Sequence, residues 1–336
     1  MTVYHNTAVG CAGNRRRIEL NKTVKVFIDG SEGTTGLRIN ERFVSRDDIE
    51  VLTIDPALRK DPDERARLIN SSDYTFLCLP DAASIEAVSL ADNPDTVLID
   101  ASTAHRTKPD WAYGLPELSP EHFEKIRTSK RIAVPGCYAS GFIMMAYPLV
   151  TGGILDPGYP FTVPALSGYS GAGKKGIAQY EAEEKAEDLF APRLYALSQM
   201  HKHLPEMKCH AGLTKDPVFI PIVDDYYCGM IVNLPVHADM MKKRMAPKEV
   251  RDMYAGHYKD SAFIRVLPYG AESETGGFLS ANTMAGKDYA NILVTGNDDR
   301  ILVSAIFDNL GKGASGAAIE CMNISMGIDP ATGLNV

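Results

Sequence analysis

The sequence predicts a parallel α/β domain followed by a largely antiparallel α+β domain. Three observations carry this expectation. Short apolar runs alternate with helix-like stretches from Val24 to Val134. A glycine-rich turn follows the first of these runs directly. Near residue 150 the texture changes, and strand-like runs then succeed one another with fewer helices between them. A length of 336 residues fits two domains of about 150 residues each.

Residues 1–23 carry no periodic pattern. Arg15-Arg16-Arg17, with little acid nearby, would suit a transit peptide. No apolar signal-type core accompanies them, so a disordered extension is expected. Order is expected from Val24. Val24–Asp29 reads as a strand, as do Ile49–Ile54, Tyr74–Leu79, Thr96–Ile99 and Arg131–Val134. Leu37–Val44, Pro62–Asn70 and Ala82–Leu90 read as helices between them, with Asp81 as a candidate N-cap. An apolar helix is expected from Cys137 to Leu149. In the second half, Phe161–Leu166, Val218–Val223, Met230–Val236, Phe263–Leu267, Asn291–Thr295 and Ile301–Phe307 read as strands. Ala314–Met326 closes the pattern as a helix.

Composition excludes several function classes. The chain has 35 Lys+Arg against 43 Asp+Glu, a net charge of −8, and no basic run longer than the three residues of Arg15–Arg17, which argues against nucleic-acid binding. Apolar residues at 45% and charged residues at 23% are ordinary for a globular chain. No apolar run approaches the roughly 18 residues of a membrane-spanning helix. The six cysteines, at 11, 78, 137, 209, 228 and 321, lack C-x-x-C spacing. They are expected to be reduced thiols in a cytoplasmic protein.

Gly30-Ser-Glu-Gly33-Thr34-Thr35-Gly36 follows the first strand and opens a helix. Glycines there let backbone N–H groups approach a pyrophosphate at the helix N-terminus, so a Rossmann-type nucleotide-binding domain is expected. The match to the dinucleotide fingerprint is imperfect, because Glu32 stands where a glycine is usual. A tight turn needing positive φ is the alternative. Asp55 suits the ribose hydroxyls of NAD, whereas Arg59 and Lys60 suit the 2′-phosphate of NADP, the cofactor favoured here.

Val134-Pro-Gly-Cys137 is the most informative stretch. A thiol at a helix N-terminus is expected to have a lowered pKa, and the same free N–H groups would hold an oxyanion. Cys78 and Cys321 lie in apolar segments and read as core filler. A thiolate nucleophile needs a proton partner, and His201-Lys-His203-Leu-Pro-Glu206 offers two histidines and a carboxylate. In an extended segment the two rings would face one side, one acting as acid/base and Glu206 fixing a ring. Metal ligation would need more donors than His210 adds. A second loop, Ser167-Gly168-Tyr-Ser-Gly-Ala-Gly-Lys174-Lys175-Gly176, lacks the P-loop ending. Its cations would suit an anionic substrate near Cys137; a flexible surface loop is the alternative.

Together these segments resemble the N-acetyl-γ-glutamyl-phosphate reductase family, within the aspartate-semialdehyde dehydrogenase group of acyl-phosphate reductases. The resemblance rests on seven ordered blocks: Phe27–Ile39, Ile99–Arg106, Tyr113-Gly-Leu-Pro-Glu117, Ile132–Tyr138, Ser167–Gly173, His201–Glu206 and Asp308–Ala318. The first block resembles the shorter of two subtypes. Two departures stand out. Tyr-Ala-Ser follows Cys137 where many members have Tyr-Pro-Thr, and residues 1–23 have no counterpart.

The resemblance implies a role for each matched position. Cys137 would be the nucleophile and His201 the acid/base, with His203 and Glu206 supporting. Gly30, Gly33, Thr34, Thr35, Gly36, Arg59, Ser102, Ser167 and Gly168 would hold NADP(H). Arg106, Tyr138 and Ser167 would meet the acyl phosphate. It further implies that residues 24–137 and 308–336 form the NADP-binding domain. Residues 138–307 would form the catalytic and oligomerisation domain, in a cytoplasmic homodimer or homotetramer. The implied reaction is reduction of N-acetyl-L-γ-glutamyl phosphate through a Cys thioester, in arginine biosynthesis. Aspartate-semialdehyde dehydrogenase chemistry is an alternative, opposed by the His-x-His-x-Pro-Glu block. A non-catalytic NADP-binding regulator is another, opposed by the intact Cys and His blocks.

Overall fold

A computed structural model describes residues 23–336. The expected extension, with Cys11 and Arg15–Arg17, lies outside the described residues apart from Thr23.

The chain first builds β1 (Val24–Asp29), α1 (Thr34–Phe43), β2 (Ile49–Leu52), α2 (Pro62–Ser71), β3 (Tyr74–Leu77), α3 (Asp81–Ser89) and β4 (Val97–Asp100). It continues with β5 (Ala112–Tyr113), α4 (Pro120–Thr128) and β6 (Arg131–Ala133). The strands form one sheet in the order β2-β1-β3-β4-β6-β5, with every pairing parallel. β3 and β4 are buried along their whole length, as strands covered on both faces must be. Strand order reverses between β1 and β3, so the crevice beyond their carboxyl ends is where this architecture takes a ligand.

Two local features differ from expectation. Asp81 is not the N-cap of α3. Pro80 holds that position, and the Asp81 carboxylate accepts the Thr103 amide at 2.9 Å and the Thr103 hydroxyl. It therefore pins the loop after β4. α4 and β5 were not anticipated. β5 has two residues, too few to show a period. α4 has a readable start, Ser119-Pro120-Glu121, and the Ser119 hydroxyl accepts the His122 amide at 3.4 Å.

α5 (Cys137–Thr151) leaves the first sheet. It is apolar on all sides and almost wholly buried, which is the pattern of a central helix. The second unit follows as β7 (Thr162–Gly168), α6 (Gly173–Tyr180), β8 (Arg193–Leu194), α7 (Leu204–His210), β9 (Val218–Asp224) and β10 (Met230–His237). It is completed by α8 (Pro247–His257), β11 (Ile264–Val266), β12 (Ala290–Gly296) and β13 (Arg300–Phe307). Its sheet has the order β11-β12-β13-β10-β7-β9-β8. The β11–β12 and β7–β9 pairs are parallel and the other pairs antiparallel. One face packs on α5 and α8. Val163, Ala165, Val232, Val303 and Ala305 point into that core with Phe142, Ile143 and Tyr254. Alternation leaves Thr162, Pro164 and Leu166 on the other face.

After β13 comes a π-helical turn, Gly311–Ser315, and then α9 (Gly316–Met326). Ala317, Ile319 and Met322 share a core with Val26, Ile28, Phe76, Ile99 and Ile132. The C-terminal helix thus packs back on the first sheet. It ends at Gly327, whose φ of 73° is left-handed.

Candidate active site

Cys137 is the first residue of α5, where the chain leaves β6 of the first sheet for the helix that packs on the second. Gly136 is the N-cap and has no side chain to satisfy the first-turn amides. Those N–H groups remain for an incoming oxyanion. A Cβ at residue 136 would overlap His203 Nε2 and stand 2.5 Å from an Arg106 terminal nitrogen. Only glycine lets both groups approach the thiol's neighbour this closely.

Arg106 is buried, and all three of its guanidinium nitrogens are engaged. Nε donates to Val134 O at 2.9 Å, one terminal nitrogen to Ala101 O at 3.1 Å and the other to Glu206 Oε1 at 2.6 Å. Its loop is held by Asp100, which accepts Ser84 Oγ at 2.8 Å, Ser102 N at 2.9 Å, Ser102 Oγ at 2.7 Å and His105 Nδ1 at 2.6 Å. His105 also stacks on Trp111, with ring centroids 4.1 Å apart. Asp100, His105 and Trp111 were not singled out from sequence; a catalytic-looking Ser-Asp-His set serves here to shape a loop.

The histidine block is not extended. His203 has helical backbone angles as the N-cap of α7, and its amide donates to His201 Nδ1 at 3.2 Å. The turn still brings the rings together, edge to face at 4.6 Å. With Nδ1 accepting, a neutral His201 carries its proton on Nε2. Burial, with Lys202 and Arg106 nearby, pushes its pKa down to about 4. Burial pushes His203 well below its ordinary value, and its buried Nδ1 has no partner among the described residues.

Glu206 does not fix a histidine. Its Oε1 is taken by Arg106 and lies 3.9 Å from His203 Nε2. Its Oε2 accepts Tyr113 OH at 3.0 Å and Gly136 N at 3.1 Å. The expected lowering of the Cys137 pKa is also overturned. Burial raises it to about 11, outweighing the Tyr138 amide, Arg106 and Lys202, which act the other way. Tyr138 lies buried behind the site, its ring edge to face with Phe219 at 5.1 Å and with His201 at 6.3 Å. His210 stands apart from the other two histidines. It stacks on Tyr113 with centroids 3.5 Å apart and donates from Nε2 to Arg106 O at 2.7 Å. Among the described residues no cluster of His, Cys, Asp and Glu has a metal-holding arrangement.

The glycine turn lies at the carboxyl end of β1. Gly30 has φ 87°, and a Cβ there would overlap Cys78 O. Gly33 caps α1 without a side-chain bond, and the buried Thr34 Oγ1 has no partner among the described residues. Free amides and an orphan hydroxyl at a helix N-terminus fit a dinucleotide's phosphates. Asp55 is occupied by its own turn, accepting Ala57 N at 2.8 Å, while Arg59 pairs with Glu32 at the surface. Glu32, at the irregular fingerprint position, thereby orients the cation expected to meet a 2′-phosphate.

Ser167, next to last in β7, is buried, its hydroxyl donating to Gly168 O at 3.0 Å. Gly168 packs on the carbonyls of Tyr226 and Tyr227. The loop that follows carries Lys174 to the side of α1. Lys174 lines a cleft of about 290 Å³ with Thr34, Leu37, Arg38, Glu41, Ile177 and Tyr227, between α1 and α6. Asn309, also missed from sequence, ties this loop down by donating to Ser170 Oγ at 2.8 Å and accepting Gly229 N at 2.9 Å.

Comparison with known proteins agrees with this geometry. A family model described as semialdehyde dehydrogenase, NAD binding domain, matches residues 19–126, and one described as semialdehyde dehydrogenase, dimerisation domain, matches residues 137–309. The chain is 42% identical over 318 residues to N-acetyl-gamma-glutamyl-phosphate reductase 2 of Nostoc sp., covering 92% of this chain and 99% of the relative. It is 44% identical over 306 residues to N-acetyl-gamma-glutamyl-phosphate reductase of Sinorhizobium medicae, covering 90% and 98%. Among solved structures, aspartate semialdehyde dehydrogenase II of Vibrio cholerae, complexed with ASA, superposes with a TM-score of 0.68 at 17% identity, covering 91% and 98%. That likeness shows the fold.

Proposed function

The chain belongs to the N-acetyl-gamma-glutamyl-phosphate reductase family, and from that premise we propose that it reduces N-acetyl-L-γ-glutamyl phosphate to N-acetyl-L-glutamate 5-semialdehyde and phosphate, a step of arginine biosynthesis, with Cys137 as nucleophile. The observation that carries this is the thiol at the uncapped N-terminus of a buried helix, beside two neutral histidines and a buried arginine.

At rest both Cys137 and His201 are uncharged, because burial disfavours the charged form of each. His201 Nδ1, released from the His203 amide, takes the thiol proton as sulfur attacks the acyl carbon, and phosphate leaves with the bonding pair. The product of this step is a thioester on Cys137. The first amides of α5 hold the oxygen as it gains charge. When bound, the dihydronicotinamide would supply the hydride that reduces the acyl carbon. His201 returns its proton as the C–S bond breaks and the aldehyde departs.

The domain match implies a nicotinamide dinucleotide cofactor. Gly30, Gly33, Thr34, Thr35 and Gly36 would cradle its phosphates, with Ser102, Ser167 and Gly168 toward the nicotinamide. Arg59, with Lys60 beside it, favours NADP(H) over NAD(H). Arg106, its charge held beneath Gly136, and Tyr138 and Ser167 would border the acyl phosphate. Residues 24–137 with 308–336, and residues 138–307, are the two working units. The open sheet face of Thr162, Pro164 and Leu166 is the surface on which a second copy would sit to make a homodimer or homotetramer in the cytoplasm. Among the described residues no helix is long and apolar enough to cross a membrane.

The reverse reaction tests the assignment. N-acetyl-L-glutamate semialdehyde, phosphate and NADP⁺ should yield reduced cofactor in a phosphate-dependent manner. NAD⁺ should substitute poorly, and Cys137→Ser should abolish turnover. Turnover with aspartate semialdehyde alone would move the substrate, and turnover surviving in Cys137→Ser would remove the thioester route.

A further inference from the structure

We propose that the buried turn Tyr113–Glu117 positions Cys137 for reaction, holding the residue before the thiol at one end and the contact with its Cβ at the other. The inference rests on Cys137 being the nucleophile.

The first end is Tyr113. Its hydroxyl donates to Glu206 Oε2, which also accepts the Gly136 amide, while Arg106 holds Oε1. Donors on both oxygens fix the rotation of this carboxylate, and so fix the peptide leading into Cys137. Tyr113 is itself held by stacking on His210, whose Nε2 returns to the Arg106 carbonyl. Arg106, Glu206, Tyr113 and His210 therefore form a closed ring of contacts around the approach to the thiol. The middle of the turn lies against the same connection. Gly114 N donates to Ala133 O at 2.8 Å, and a Cβ on Gly114 would stand 3.1 Å from that oxygen and 3.2 Å from Pro135 Cδ.

The second end is Glu117. It pairs with Lys312, a fully buried lysine whose Nζ also lies 2.6 Å from Glu320 Oε2. Lys312 sits in the π-helical turn, and the next residue, Gly313, is placed so that a Cβ there would be 2.9 Å from Cys137 Cβ. Such turns recur at functional sites because they displace one residue out of helical register. Packing alone would need an apolar side chain at 117. Instead a carboxylate is buried whose Oε2 has no partner among the described residues.

Tyr113→Phe and Glu117→Gln, made in the full chain, test the proposal. The readouts are kcat, KM for both substrates and the pH dependence of Cys137 alkylation by iodoacetamide. For Tyr113→Phe, kcat should fall about ten-fold or more with KM within about two-fold, as expected when a reacting group is misplaced while substrate binding is kept. The alkylation midpoint should rise, because Glu206, released from the phenol, faces the thiol against Arg106 and Lys202. Glu117→Gln should lower kcat in the same way; if it fails to fold, Tyr113→Phe alone decides. Unchanged kcat and midpoint in Tyr113→Phe overturn the proposal. A fall in kcat with the midpoint unmoved overturns it as well, since general loosening would give that. Cys137→Ser run alongside separates the two levels: if it stays active, the nucleophile assignment fails, and if it is dead while Tyr113→Phe is normal, only the positioning role fails.

Discussion

A thiol raised to about 11 beside an imidazole lowered to about 4 is a neutral pair across the physiological range. The sign for His201 follows from its burial. The folded site disfavours imidazolium, so the ring stays able to take a proton until the pH falls well below the ordinary histidine value of about 6.5. With semialdehyde as the varied substrate and saturating phosphate and cofactor, the acid limb of kcat/KM should therefore lie near 4. A limb centred between about 6 and 7 would show an ordinary histidine as the base instead. The position of Cys137 was legible in the sequence, because Pro-Gly before an apolar run marks a helix start. Its protonation was not, because a helix N-terminus lowers a thiol pKa only where desolvation does not win. Burial depends on the sheet that folds over α5, and Cys137–Leu149 alone does not reveal that. Glu206 was misjudged for a related reason. Its sequence neighbours are histidines, but its spatial donors, Arg106, Tyr113 and the Gly136 amide, come from elements far away in the chain.

Many elements that repeat a period over several residues were legible, but α4, α6 and α8 were missed together with the shortest strands. β1, α2 and α5 were expected close to where they lie. β5 and β8 have two residues each and exist only through pairing with β6 and β9. The connection between β6 and α5 is where an element's geometry bears most directly on chemistry. Gly136 has φ −76°, open to any residue, so an alanine there would meet only the steric demand of His203 and Arg106. Gly136→Ala should cost about 1–3 kcal/mol in overpacking. A shift of about 1 Å at the thiol should lower kcat by about a hundred-fold. Gly256 in α8 provides the contrast: among the described residues a Cβ there meets nothing within 4 Å. Gly256→Ala should keep full activity and add about 0.5–1 kcal/mol through helix propensity. Equal loss of kcat in both variants would show that Gly136 is no closer to the chemistry than a surface helix position.

Across the whole molecule, the two sheets are joined by buried charge as well as by α5. Arg42 of α1 forms a bidentate pair with the fully buried Asp288, which also accepts Asn335 N at 2.8 Å, so the first sheet, the β11–β12 connection and the C-terminus meet at one carboxylate. Lys312 does the same between the Tyr113–Glu117 turn and α9. Burial and the neighbouring Glu117 push Glu320 well above the ordinary carboxylate range, and Lys312 is what opposes this. Lys312→Met would leave two carboxyl groups buried with no cation. Breaking a buried pair from one side costs about 3–5 kcal/mol, so the variant should unfold at markedly lower denaturant at pH 7. The sign of its pH dependence separates this cause from lost packing. Without the lysine, the folded pKa of Glu320 would lie still further above its unfolded value. The folded state would then bind more protons than the unfolded one, so its stability is present at low pH and lost as pH rises through the raised value. The stability deficit of Lys312→Met relative to the parent should accordingly narrow between pH 7 and 5, measured by urea unfolding at each pH. A packing defect would leave the deficit constant across that range.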